Sequence, residues 1–140
     1  MAVKRFATHR LVKSEDLNHH GTLFAGRSAE WFVEAGFVAA ANMINPKELV
    51  CLKIHGMHFS QAVHAGTIIC FESCIITTGR TSLKAYVKVT KAANPEHILV
   101  DGFLTFVHVD DEGRSKPHGL VITADNPTDE QLQKLAETVR

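Results

Sequence analysis

Residues 23–43 read LFAGRSAEWFVEAGFVAAANM. The stretch holds no Pro and is rich in Ala, Phe and Val. It is apolar on nearly every face, the mark of a helix buried on most sides rather than one lying on a surface. Asn45-Pro46 ends it, because Pro lacks a backbone N–H and pushes the preceding residue out of helical conformation. Beyond this point the apolar period changes from helical to two. Residues 49–59 (LVCLKIHGMHF), 67–77 (TIICFESCIIT), 82–90 (SLKAYVKVT) and 98–109 (ILVDGFLTFVHV) read as strands. In the third, Leu83, Ala85, Val87 and Val89 share one face, and Lys84, Tyr86, Lys88 and Thr90 the other. Gly79-Arg80 and Asn94-Pro95 supply turns between strands. Residues 3–12 (VKRFATHRLV) precede the helix as a first strand, and a short helix from an N-cap at Thr128 to about residue 138 closes the chain. One long helix followed by four strands predicts an α+β domain with an antiparallel sheet curled around the helix. Strands this long leave hazardous edges unless paired, so a homodimer or higher homo-oligomer is expected.

A chain of 140 residues suits one domain, 1–140, burying about 68% of its unfolded surface. Fifteen basic and fifteen acidic side chains balance, which disfavours a nucleic-acid partner. No apolar run is long enough to span a bilayer, and the opening Met1–Phe6 lacks a signal-peptide core. The three cysteines, Cys51, Cys70 and Cys74, cannot all pair and form no CxxC. These features predict a reduced, cytoplasmic protein with no metal and no membrane partner. The nine histidines are scattered, and His55 and His58, three apart on the expected strand, would face opposite ways.

The helix carries Arg27, Glu30 and Glu34 on one stripe, at spacings of three, four and seven. Glu34 stands between Trp31-Phe32-Val33 and Ala35-Gly36-Phe37-Val38. Two readings weigh equally there. Either the carboxylate is desolvated, with its pKa raised toward that of a general base, or the stripe faces solvent and both glutamates lie near Arg27. At the helix start, Gly21-Thr22-Leu23-Phe24-Ala25-Gly26 leaves backbone N–H groups suited to a thioester or carboxylate oxygen. Just before it, Asn18 carries both a donor and an acceptor, beside His19 and His20. The bland alternatives are a turn role for Asn18, solvated histidines and packing glycines.

The run Asn18-His19-His20-Gly21-Thr22-Leu23-Phe24-Ala25-Gly26, followed by an acidic helix, resembles the hot-dog-fold acyl-CoA thioesterases. Met57–Gly66, Gly79-Arg80-Thr81-Ser82 and Phe103–Asp110 follow in the order of that family, so the likeness covers residues 5–117. The resemblance implies a central helix wrapped by a curved sheet, an oligomer, and an acyl-CoA substrate, with coenzyme A entering only as part of that substrate. It also implies that a helix acid activates water or attacks the thioester, a helix-start N–H polarises the carbonyl, and a loop Asn assists. Carried over, these roles fall on Glu34, Gly26 and Asn18. The sequence departs from the family in three ways: Ala25 replaces a Gly, the Asp many members carry falls on Val33, and Ala62 replaces the Pro of the connection. Glu34 is the adjacent acid, about 100° further round the helix.

The resemblance places substrate contacts at His19, His20, Phe24, Ala25, Phe59, Arg80, Thr81 and Ser82, with Phe24, Trp31 and Phe59 as acyl-pocket candidates. Two acid-free segments could meet the phosphates of coenzyme A: Lys4, Arg5, Arg10 and Lys13 in residues 1–13, and Arg80, Lys84, Lys88 and Lys91 in residues 73–95. Arg80, at a turn, is the best placed of them. Two alternatives stand beside the hydrolase. One is a hydratase or dehydratase on the same fold using His20 and Glu34, disfavoured by the absence of Pro from residues 21–33. The other is a non-catalytic acyl-CoA-binding module.

Overall fold

The computed structural model describes all residues, 1–140. In chain order its elements are β1 (Arg5–Leu11), α1 (Ala25–Ala41), β2 (Leu49–Ile54), β3 (Ile68–Thr78), β4 (Ser82–Lys91), β5 (Asn94–His108) and α2 (Pro127–Thr138). The strands form one antiparallel sheet in the order β1-β3-β4-β5-β2. β3, β4 and β5 are successive hairpin neighbours, but β2 and β3 do not pair: β2 joins the far edge beside β5, and β3 lies beside β1. The connection between them, residues 55–67, is therefore not a hairpin: it crosses from edge strand β2 over the sheet to β3, which lies inside the opposite edge strand β1.

α1 packs on one face of this sheet. Its buried residues, among them Ser28, Trp31, Phe32, Ala35, Gly36 and Ala39, meet the inward side chains of β3 and β4, including Ile69, Phe71, Leu83, Ala85, Val87 and Val89. Gly36 permits the closest approach, since a Cβ there would stand 2.8 Å from Leu104 Cδ1. The unbroken apolar run of β3 has its reason in the other face. Cys74 and Ile76 point away from α1 and are covered by Ala136, Leu132 and Val139 of the C-terminal segment, so β3 is buried on both sides. Burial pushes the Cys74 thiol up to about 11.

Several boundaries shift. α1 spans 17 residues, about 25 Å, and is shorter than the apolar run. β2 ends at Ile54 because Gly56, with φ of 116°, turns the chain over β5, where its carbonyl oxygen lies so near Gly102 that a Cβ there would sit 2.7 Å away. Residues 57–59 are therefore irregular rather than strand. The β4–β5 turn falls on Ala92-Ala93, with Asn94 already paired to Lys91. The cap of α2 is Asn126, whose Oδ1 accepts from the Asp129 N–H at 2.8 Å, with Pro127 in the first turn. Thr128 is inside the helix.

The outer face of the sheet commits several basic side chains to other parts of the chain. Arg5 binds the buried Asp129 of α2 and lies 3.6 Å from Glu72. Lys84 Nζ donates to the Ala136 and Val139 carbonyls at 2.8 and 2.9 Å, closing the C-terminal end of α2. Lys88 approaches Glu72, and Lys13 pairs with Glu15. Within the two basic segments, Arg5, Lys13, Lys84 and Lys88 are thus held by contacts inside the chain. No helix is long and apolar enough to cross a membrane.

Candidate active site

A cavity of about 290 Å³ opens at the start of α1. Three parts of the chain build it. The pre-helix loop and first helical turn give Asn18, Thr22, Leu23, Ala25 and Ser28. The crossing segment gives Phe59–Val63, and the far ends of β3, β4 and β5 give Ile69, Val89, Leu99 and Val100. The crossing that shortens β2 is therefore what roofs the cavity. The loop is fixed by backbone bonds: Leu23 N–H donates to the Val63 carbonyl at 2.7 Å, and Phe24 N–H to the Asp16 carbonyl at 2.9 Å.

Asn18 has the turn role and faces the cavity as well. Its Oδ1 accepts from the His20 and Thr22 backbone N–H groups and from the Thr22 hydroxyl, at 2.9, 3.2 and 3.3 Å. Its Nδ2 makes no bond within the chain, so two N–H donors remain for a ligand oxygen. At the helix start, Arg27 and Ser28 N–H groups return to the Phe24 carbonyl, which leaves those of Ala25 and Gly26 without acceptors. Ala25 lines the cavity. Gly26 lies just outside, under the Phe24 ring, whose Cε2 would stand 2.5 Å from a Cβ on Gly26. Donors from a loop amide and a helix terminus thus converge on one opening, an arrangement that suits a carbonyl acquiring negative charge.

The other expected site residues divide. Phe59 lines the cavity. Trp31 is buried in the main core, edge-on to Phe71 at 6.1 Å. His19 and His20 are exposed with ring centroids 3.9 Å apart and lie outside the lining. Arg80 and Thr81 occupy the β3–β4 turn, and Ser82 opens β4. Nine residues of β3 separate its end from Ile69 in the cavity wall, about 30 Å. One protomer does not bring that turn and the cavity together.

Glu34 is not desolvated. Its side chain is 56% exposed and forms an ion pair with Arg10 Nη2 at 2.6 Å, while the Arg10 guanidinium also lies over the Trp31 ring, 5.2 Å from its centroid. The solvent-facing reading of the stripe holds for Glu34, but with a different partner, since Arg27 approaches Asp16 at 3.7 Å. Trp31 and Phe32 turn inward and Glu34 outward, so flanking apolar residues in sequence do not enclose it. Glu34 follows Ala25 by nine residues, about 13 Å along the axis, and is not part of the cavity wall. Val33, the adjacent position, is half-buried against the core.

Ser28, Ser60 and Gln61 also line the cavity and escaped the sequence reading. For Ser28 a signal existed: a lone hydroxyl three and four residues before Trp31 and Phe32, on the buried face of an apolar helix. Ser60 and Gln61 became visible only once the crossing segment was placed.

A central helix packed on one face of a five-stranded antiparallel sheet, with a donor-lined cavity at the helix start, defines a hot-dog domain. The chain belongs to the thioesterase superfamily, which matches residues 20–96. It is 28% identical over 105 residues to YkhA of Bacillus subtilis, an uncharacterized acyl-CoA thioester hydrolase, covering 73% of this chain and 60% of that protein. The chain thus spans less than two thirds of that curated relative. An apo hexameric acyl-CoA thioesterase superposes with a TM-score of 0.85 at 29% identity, over 95% of this chain and 86% of the other. An acyl-CoA hydrolase from Bacillus cereus gives 0.86 at 27% identity, over 95% and 82%.

Proposed function

We propose that the protein hydrolyses an acyl-CoA thioester to a carboxylic acid and coenzyme A, working as a homo-oligomer. The observation that carries this is the pair of free donors, Asn18 Nδ2 and the Ala25 N–H, on residues that line one mainly apolar cavity, with the free Gly26 N–H beside it. The superfamily membership and the names of the relatives point the same way. In this reading the acyl group enters the cavity and its carbonyl oxygen meets the helix-start N–H groups. Asn18 donates to the same oxygen or holds the attacking water.

Glu34 is assigned as the base. Gly26 and Glu34 are separated by about 12 Å along the helix, beyond the reach of one water, so in this reading the assembly of protomers, not one protomer, brings the Glu34 carboxylate to the thioester. Glu34 takes a proton from water, the water oxygen bonds to the thioester carbon, and the oxyanion rests on the N–H donors. The carbon–sulfur bond then breaks, and the coenzyme A thiolate leaves and takes up the proton. A second protomer would bring the distant Arg80 turn toward the coenzyme A phosphates. The exposed Val50, Leu52 and Ile54 of edge strand β2 suit pairing with a copy of this chain.

The test is thiol release from a panel of acyl-CoA esters. Glu34→Gln is expected to lower turnover by about 10²–10⁴, the usual share of a general base. Full turnover in that variant would remove Glu34 from the mechanism. Absence of release from every ester, with hydration of an enoyl-CoA instead, would favour the lyase, and tight binding without turnover the binding module.

A further inference from the structure

The acyl cavity holds one polar group that its apolar wall does not explain. Ser28 lies on the buried face of α1 and is 5% exposed. Its hydroxyl makes no hydrogen bond to any group of the protein, although every fully enclosed polar side-chain atom in the chain is bonded. The Ser28 oxygen therefore meets the cavity that the residue lines. Helical serines can bond back to the carbonyl four residues earlier, but that carbonyl, on Phe24, already accepts the N–H groups of Arg27 and Ser28. The other hydroxyls of the wall are committed: Thr22 to Asn18 Oδ1, and Ser60 to the Leu99 carbonyl at 3.1 Å. An unpaired hydroxyl in a cavity also lined by Leu23, Val63 and Ile69 marks the place of a ligand's polar atom.

We infer that this protein selects acyl-CoA esters that carry a hydroxyl or oxo group on the third acyl carbon, read by Ser28. The inference rests on the hydrolase reading for the identity of the ligand, and its position comes from helix geometry. Ser28 follows Ala25 by three residues, one turn, about 4.5 Å along the axis. With the thioester oxygen at the Ala25 N–H, an oxygen two carbons further along the chain reaches the Ser28 hydroxyl. That hydroxyl serves either substrate, donating to a ketone or accepting from an alcohol. The cavity bounds the rest of the acyl group. Its 290 Å³ is about twice the roughly 150 Å³ that admits one benzene. It therefore admits an acyl chain bulkier than benzene, closed off at Ile69, Val89 and Leu99, all buried.

The experiment compares octanoyl-CoA, 3-hydroxyoctanoyl-CoA and 3-oxooctanoyl-CoA as substrates of the wild type and of Ser28→Ala. Alanine is the best helix former, so the variant should keep its circular dichroism spectrum and melting temperature. The wild type is expected to favour the oxygenated esters in kcat/KM by about 3–10-fold, the value of one hydrogen bond. Ser28→Ala should remove that preference, lowering kcat/KM on the two oxygenated esters relative to octanoyl-CoA. Equal losses on all three esters, or no preference in the wild type, would overturn the inference. Calorimetric binding of the matching thioether analogues, which cannot be hydrolysed, reads the same preference without turnover. Selective binding with no thiol release would refute the hydrolase reading and keep the Ser28 assignment, whereas release without selectivity would do the reverse.

Discussion

Replacing Arg5 by Ala should destabilise the protein by about 3 kcal/mol at neutral pH. Asp129 is the reason. Its side chain is 2% exposed, and its carboxylate accepts from both Arg5 terminal nitrogens and from Asn126 Nδ2 at 2.9 Å. Arg5→Ala leaves a buried charge with only the Asn126 donor. Removing one partner of a buried pair costs about 3–5 kcal/mol. The low end applies because the Arg5 side chain is 39% exposed, so water partly screens the pair and would reach the carboxylate in its absence. In a chain of this length a loss of about 3 kcal/mol lowers Tm by about 6–12 °C.

The pH dependence checks the cause. The Arg5 guanidinium holds the Asp129 carboxyl below its ordinary pKa. A group depressed in the folded state stabilises fully above its unfolded value, about 3.9, and loses that contribution as pH falls through the folded pKa. The stability gap between wild type and Arg5→Ala should therefore be constant between about pH 6 and 8 and narrow in acid, where the variant's stranded carboxyl is protonated first. Urea denaturation with a common m-value, followed by tryptophan fluorescence, measures the gap. A loss below about 1 kcal/mol at pH 7, or a gap that stays the same down to the pH where the wild type unfolds, would refute the buried-pair reasoning.

Gly36→Ala places a methyl 2.8 Å from Leu104 Cδ1 and should cost about 1–3 kcal/mol in denaturant midpoint stability. No loss would mean that helix and sheet separate freely. Cys74, buried with its thiol raised to about 11, should resist alkylation at pH 8 until urea is added, while exposed Cys51 is modified in the native protomer unless β2 is covered; mass spectrometry of labelled peptides reads both. Asn18→Ala removes an anchor of the loop and a donor of the cavity. It is expected to lower kcat/KM by about 10–10³ in the thiol-release assay, and an unchanged value would confine Asn18 to its turn. Arg80→Ala should weaken coenzyme A binding by about tenfold by calorimetry only if a second protomer completes the site. Equal affinity would exclude the turn from the phosphate subsite.

Much of the architecture is legible in the order of periods. The apolar run at 23–43 could only be a helix covered by something large, and the period of two in 82–90 could only be a half-buried strand. The continuous apolar run of β3 left its partners open, because burial on two faces reads the same whatever covers the second face. Pairing order was also hidden: nothing local in residues 55–67 says that β2 lands beside β5. The site was legible where chemistry is local. The Asn18 turn and the free N–H groups at Ala25 and Gly26 follow from loop and helix geometry alone. Glu34 was not legible, since its setting depends on where Arg10 of β1 stands, 24 residues away.

The sequence by itself determined the class of fold, the long helix, the strand periods and the donors at the helix start, because each depends on propensity and on groups a few residues apart. The tertiary structure alone decided which side of α1 faces the sheet and that Glu34 pairs with Arg10. It alone committed the basic side chains of the outer face to α2 and its neighbours, and it alone placed the Ser28 hydroxyl in an apolar cavity. Those outcomes are contacts between distant segments. Side chains that alternate identically along a strand, or recur identically around a helix, acquire different surroundings only when the packing of the whole chain assigns each face a neighbour.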